Sequence, residues 1–502
     1  MKLPPIKALY PFIALFLVLA AWSFASPVGS SADEMVHLSR TYCYTGDDLC
    51  PPSLDFVEMP ELWPYAPNCW GVPNFQIINK CNTEKTGPSF IQVERPESGT
   101  YSPIFYKTMA LFFSKNIELS VSLMRLFNSL LMIIVAAFSS HLLRDQYKYD
   151  MNLWILLIPN ISFFVASVNP TSWSIIALYG LACSLISIAR VGINRSNMVL
   201  FSFSFFISMS GRPDTKYLGF LFLISACTLA LTSRRMALPI ILKCFGFMIL
   251  ISAPVLIFVN LILTNKYQLS KFSGVATPNS LNLIIPNLRK TPPYLSEILS
   301  STQGSYASSF LVKPFPTILC FFILFLLIKS IQYSSTVVRL PIYGLGGAIL
   351  ILINYISFIW GLPLGDSIQP RYFLPIVVAF FIFVGFESNR HLAKRSFKAL
   401  SIIIVGISII ALHTTVRRWS VGLFEFSKTG SFYYFIDGKQ IDISQNKVNL
   451  TDGWKTLLFL DPKWSPLVIG GQWIVLLLAG IGGIILISTR GSLNSLVHEQ
   501  SK

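Results

Sequence analysis

Long apolar runs recur along the chain from residue 8 to residue 488, separated mostly by short polar connections. A helix that crosses a bilayer needs about 20 mostly apolar residues. The runs therefore predict an all-α polytopic membrane protein, a bundle of about 12 transmembrane helices forming one unit over residues 1–502. The expected spans are Leu9–Phe24, Leu119–Leu143, Leu153–Val168, Trp173–Ala189, Met198–Ser210, Tyr217–Leu231, Leu238–Leu263, Phe310–Ile328, Leu340–Trp360, Tyr372–Phe386, Leu400–Leu412 and Leu467–Ser488. The first also fits a secretory signal, since it follows Lys2 and Lys7 and ends in Ala25-Ser26-Pro27. With so many spans behind it, a retained first helix is expected.

Composition agrees with that pattern. A chain with 53% hydrophobic and only 12% charged residues over 502 positions cannot pack as a soluble domain. The formal charge of +16 would suggest nucleic acid in a soluble protein. Here the cations sit in short loops between spans, as cytoplasmic positive charge requires, so they report orientation and imply no nucleic acid partner. Alternation from a cytoplasmic amino terminus puts Arg144, Arg190, Arg234, Arg235, Lys329 and Arg490 on one side, with both termini. The long loops 26–118, 264–309 and 414–466 then lie on the opposite, extracytoplasmic side.

Cys43, Cys50, Cys69 and Cys81 all fall in the first outer loop, which points to one or two disulfides in an oxidising compartment. Cys43 with Cys50 and Cys69 with Cys81 is the preferred pairing. Zinc is the rival, but the four lack histidine and two-residue spacing. At the head of this loop, Ser31-Ala32-Asp33-Glu34 matches a capping box, which gives Glu34 a helix-starting role. A helix from there would carry Asp33, His37 and Arg40 on one face; a solvated face explains the same spacing. Outer-side cations stand at Arg212 and Lys216, at Arg289 and Lys290, and at Arg371 beside Tyr372. Each also reads as an interfacial or loop charge, and Asp214 is placed to pair with Arg212 or Lys216. Asn169 to Trp173 reads as a helix start capped by Thr171 or Ser172.

Three segments carry a resemblance. Pro27-Val28-Gly29-Ser30-Ser31-Ala32-Asp33-Glu34-Met35-Val36-His37 follows the first span, Tyr101-Ser102-Pro103-Ile104-Phe105-Tyr106 comes later in the same loop, and Gln369-Pro370-Arg371-Tyr372-Phe373-Leu374-Pro375 opens a span. In this order the chain resembles a family of predicted bacterial membrane proteins within the GT-C glycosyltransferase superfamily. The resemblance implies a GT-C-like bundle whose long first outer loop carries interface helices and an acidic catalytic residue. It implies transfer of a sugar from a polyprenyl-phosphate donor to an envelope glycan, lipid-linked or exported protein acceptor, with inversion.

On that resemblance Asp33 matches the loop-one acid and Glu34 its second acid, with Asp33 the expected base because the capping box occupies Glu34. Arg371, Arg212, Lys216, Arg289 and Lys290 are the candidates for donor phosphate, and His37, Arg40, Tyr101 and Tyr372 for substrate contact. No cofactor is expected; no metal motif or phosphate-cradling glycine loop is present, which leaves a divalent metal open. A lipid-linked glycan flippase, or a non-catalytic envelope polysaccharide assembly protein, is the alternative. Broken or charged segments inside the membrane would favour the flippase.

Overall fold

A computed structural model describes residues 9–25, 31, 33–45, 56–58, 90–92, 101–114, 117–143, 151–232, 285–287, 289–291, 298, 325–328, 332, 346, 349, 370–391, 401–412, 425–426, 432–436, 439–442, 479–483 and 485. The described elements are mostly helical. In chain order the helices are α1 (Tyr10–Phe24), α2 (Glu34–Tyr42), α3 (Pro103–Ala110), α4 (Ile117–Leu143), α5 (Met151–Ile155), α6 (Pro159–Val165), α7 (Pro170–Val191), α8 (Arg195–Ser210), α9 (Pro213–Thr232) and α10 (Leu374–His391), the last entered by a 3-10 turn over Pro370–Phe373. A further apolar helix, α11, covers Ser401–Leu412.

Helix α7 is the hub. Every residue from Pro170 to Ile188 is buried, and the helix packs against α4, α6, α8, α9 and α10. Small residues let the helices approach, as in membrane bundles generally. Gly180 abuts Ser204 and Val135, and Gly211 abuts Ser174, where a β-carbon would stand 2.9 Å from the serine Oγ. Asn169 caps α7 by accepting from the Thr171 backbone at 2.9 Å, two residues ahead of Thr171, the earlier of the two expected caps. Pro170 explains the shift, since its fixed φ suits the first helical position and leaves the cap to its predecessor.

Among the described residues, two helices, Leu119–Leu143 and Pro170–Val191, are long and apolar enough to cross a membrane; Tyr10–Phe24, Arg371–Phe386 and Ser401–Leu412 are shorter apolar helices. The expected span Leu153–Val168 is not one helix. It breaks into α5 and α6 around an extended Ile158, φ −60° and ψ 125°, ahead of Pro159. Proline removes a helical donor and drives its predecessor out of the α region. The break is satisfied inside the protein: the amides of Leu156, Leu157 and Ile158 donate to carbonyls three residues back, and the segment is buried. Most of the spans expected at Leu238–Leu263, Phe310–Ile328, Leu340–Trp360 and Leu467–Ser488 lies outside the described residues.

An all-α description needs correcting in the loops. Phe56–Glu58 and Phe90–Gln92 (β1, β2) pair antiparallel within loop 26–118, so α2 and α3, the expected interface helices, share it with a two-stranded sheet. Glu425–Phe426, Phe432–Ile436 and Lys439–Asp442 (β3, β4, β5) form an antiparallel sheet within 414–466. The register Ile436↔Lys439 leaves only Asp437 and Gly438 between β4 and β5, a pair suited to a tight hairpin turn. Helical spans dominate the chain's hydrophobic pattern, and strands of two to five residues are too short to stand out against it.

Candidate functional site

The end of α1, α2, the start of α3, the start of α4, the α6–α7 connection, the α8–α9 turn and the start of α10 meet at one end of the bundle. Glu34 joins four of them. Its carboxylate accepts from Arg125 Nε at 3.0 Å and Nη2 at 2.6 Å, from the Val168 amide at 3.1 Å and from the Ser31 amide at 3.4 Å. Arg125 Nη1 donates to the Ser23 carbonyl at 2.9 Å, and both charged side chains are sealed from solvent. A buried charge survives only when paired and hydrogen-bonded, and this fork-to-fork contact supplies both. Half of the expected capping box therefore exists. The Ser31 hydroxyl has no hydrogen-bond partner, and the Glu34 amide donates to the Ser31 carbonyl instead.

Asp33 rather than Ser31 is the N-cap of α2. Its φ of 59° makes it the sole non-glycine in the left-handed region among the described residues, and its side chain makes no capping bond. A strained backbone that frees a carboxylate is typical of functional positions. That carboxylate is half-exposed and meets the buried guanidinium of Arg371, Nη2 to Oδ2 at 2.6 Å, across 338 positions of sequence. Arg371 lies over the Tyr372 ring, 5.3 Å from its centre, and Arg212 approaches the same ring at 4.8 Å. Arg212 is held by Asp214 at 3.0 Å, by the Thr171 hydroxyl at 3.4 Å and through its backbone amide by Ser174 Oγ at 3.2 Å.

His37 and Arg40 lie beneath this array. His37 packs edge-on against Tyr101, and Arg40 covers the Tyr101 ring at 5.3 Å. The imidazole Nδ1 is 3.0 Å from the Tyr106 hydroxyl. Arg40 also donates to that phenol oxygen, so Tyr106 links the imidazole and the guanidinium. Burial pushes the His37 pKa well below its usual range, and the positive charges of Arg40, Arg212 and Arg371 push the same way, so the ring is neutral at pH 7. Burial likewise raises the Tyr101 and Tyr106 phenols; at Tyr101 the Asp33 and Asp214 charges add to the rise while Arg212 opposes it. Tyr101 thus lies within the field of both carboxylates.

Most residues singled out in the sequence converge: Asp33, Glu34, His37, Arg40, Tyr101, Arg212, Arg371 and Tyr372. Lys216 is half-buried one turn into α9, and Arg289 and Lys290 are exposed on a short helical stretch; the charges that His37 and Tyr101 sense include none of these three. Cys43 is disulfide-bonded. Cys183 and Cys227 are free thiols, so its partner lies outside the described residues, as do Cys50, Cys69 and Cys81. Arg125 was missed, although it is the one Lys, Arg, Asp or Glu within Leu119–Leu143 and an ionisable residue inside a span needs a partner. Among the described residues, no three His, Cys, Asp or Glu side chains gather as a metal site.

The chain belongs to a family described as predicted membrane protein (DUF2142), whose model matches residues 16–380. That match covers the whole cluster, from Asp33 to Tyr372. No curated protein and no solved structure matches it.

Two outcomes follow from the charges. Arg125→Leu, which strands the Glu34 carboxylate, should cost about 3–5 kcal/mol of stability and abolish monodisperse elution. Glu34→Gln should cost less, because the isosteric amide oxygen still accepts from Val168 or Arg125 and the Ser23 carbonyl still accepts from Arg125; equal losses in thermal melts would contradict this. For His37 the unfolded ring gains its proton near pH 6.5 while the folded ring resists it. The unfolded state therefore binds more protons on acidification, and wild-type stability should fall as pH drops through 6.5. His37→Gln should flatten that component of a melting-temperature series between pH 7.5 and pH 5.0 (about two and a half units spanning the ordinary histidine range), and an unchanged slope would assign it elsewhere.

Proposed function

We propose that this member of a predicted-membrane-protein family is a GT-C-type glycosyltransferase that takes a sugar from a polyprenyl-phosphate donor, with Asp33 as general base. The observation that carries the reading is the Asp33–Arg371 pair: a half-exposed acid held by a buried guanidinium at a place where seven parts of the chain converge. In the reaction an acceptor hydroxyl attacks the anomeric carbon as its proton passes to the Asp33 carboxylate. The bond from that carbon to the phosphate oxygen breaks, and its electron pair leaves on the prenyl phosphate. A single displacement inverts the anomeric centre. Arg371 offers the departing phosphate a fixed, desolvated positive charge that need not reorganise.

Neutral His37, the Arg40 guanidinium and Tyr101 support the α2 end from below and keep water out of it. The acceptor is an envelope glycan, a lipid-linked saccharide or an exported protein. The cluster is placed on the extracytoplasmic face of a bacterial inner membrane, with both termini inside, because the loop cations favour that orientation. The oxidised Cys43 near the cluster supports the same side.

One observation favours the second reading, a lipid-linked glycan transporter: the α5–α6 break is a discontinuous buried segment of the kind transporters use. Against it, the break carries no charged side chain, whereas the arginines and acids gather at the bundle end.

Purified protein given a synthetic polyprenyl-phosphate sugar and a saccharide acceptor tests the proposal. Asp33→Asn should lower turnover at least about 100-fold with donor binding unchanged, since it keeps the shape and removes the base. Turnover close to wild type would exclude Asp33. For orientation, single cysteines at Ser301 and Ser444 should react with an impermeant reagent on intact cells, and one at Ser396 should not; the reverse pattern would move the cluster to the cytoplasm.

A further inference from the structure

Tyr372 lies under both cations of the site, and each cation carries its own acid. Along the array run Asp33, Arg371, the Tyr372 ring, Arg212 and Asp214, with Oδ2–Nη2 at 2.6 Å, guanidinium carbons 5.3 Å and 4.8 Å from the ring centre, and Nε–Oδ1 at 3.0 Å. Two like-charged guanidiniums that share one ring repel each other. An aromatic face offsets the repulsion by attracting a cation, and Arg stacks on it with its planar edge left available.

The hydrogen-bond inventory shows what that edge lacks. A guanidinium has five N–H donors. Arg371, with a side chain only 6% exposed, directs one of them to a partner among the described residues, the Asp33 carboxylate. None of its other nitrogens is among the sealed atoms that lack a partner, so those donors keep a little open surface that an anion can reach. Arg212, 14% exposed, spends Nε on Asp214 and Nη1 on the Thr171 hydroxyl and keeps Nη2. Thr215, the next turn of α9, also buries a hydroxyl without a hydrogen-bond partner. Donors thus exceed acceptors at both guanidiniums that meet this ring.

We infer that Arg371 and Arg212 grip a single phosphate ester between them, and that Tyr372 is a positioning residue, its ring face holding the two guanidiniums in register rather than touching sugar. The inference rests on the transferase reading for the identity of the ester, and it narrows that reading: the phosphate is held at two points, with Lys216, Arg289 and Lys290 left out of the grip. The shared chemistry is the phosphate group, which either a prenyl lipid or free phosphate supplies.

The experiment titrates farnesyl phosphate, and separately inorganic phosphate, into the purified full-length protein in detergent and reads Kd, with elution profiles as the check on folding. Arg371→Ala and Arg212→Ala should each weaken binding at least about tenfold. The double variant should lose no more than about threefold beyond the worse single, because losing either guanidinium already undoes the grip. Tyr372→Leu should weaken binding about as much as either arginine variant, whereas Tyr372→Phe, which keeps the ring face, should stay within about threefold of wild type. The same ranking with either ligand supports the grip, and the tighter of the two identifies the source of the phosphate. A double variant whose loss is the product of the single losses, a Tyr372→Leu variant that binds like wild type, or wild type that binds neither phosphate would each overturn it. A protein that binds in this pattern but transfers no sugar would keep the grip and lose the transferase reading; an active transferase in which Tyr372→Leu binds normally would lose the grip alone.

Discussion

A carboxylate with no access to solvent must be neutral or fully matched, and at Glu34 the match is Arg125 together with two backbone amides. This pair ties the end of α1, the start of α2, the first third of α4 and the connection into α7 into one rigid corner. Everything at the site is referenced to it. The left-handed Asp33 precedes Glu34 directly, so the position of its carboxylate is fixed by a neighbour that cannot move without exposing a charge. The division of labour between adjacent acids then has a physical origin: one is buried and spent on structure, the other is half-exposed and available for chemistry.

A second layer builds on that corner from the far end of the chain. Pro370–Phe373 brings Arg371 and Tyr372 back to α2, and the α8–α9 turn brings Arg212 to the other side of the same cluster. Beneath them, burial and three arginines keep His37 neutral, so it adds hydrogen bonding to Tyr106 without adding to the positive charge. The result is an array rich in fixed donors, with each acid paired to a cation and with donor capacity to spare. Such an array suits a ligand that brings its own negative charge, which is what a lipid phosphate does.

Much of this was legible in the sequence because hydropathy and charge bias are strong signals in a membrane chain. Alternation of spans placed Asp33, Arg212 and Arg371 at a common end, and the structure brings them there. Arg190, expected at the opposite end, indeed meets Phe386 near the far end of α10. Other features depend on tertiary contacts that spacing does not encode. The partnership of Glu34 with Arg125 spans 91 positions, and nothing local distinguishes it from a capping box. The apolar run continues through the break at Ile158-Pro159, so hydropathy alone reads a single span there, although the proline marks the interruption. The short strands in the loops were hidden by their length.

The most direct measurement is a cryo-electron-microscopy structure of the protein with an unreactive phosphonate analogue of a polyprenyl-phosphate sugar. The account predicts the phosphonate on Arg371 and the anomeric carbon facing Asp33, separated from its carboxylate by room for one acceptor hydroxyl. Density for the phosphonate at the opposite end of the bundle, beside Arg190, or for a sugar turned away from Asp33, would contradict it.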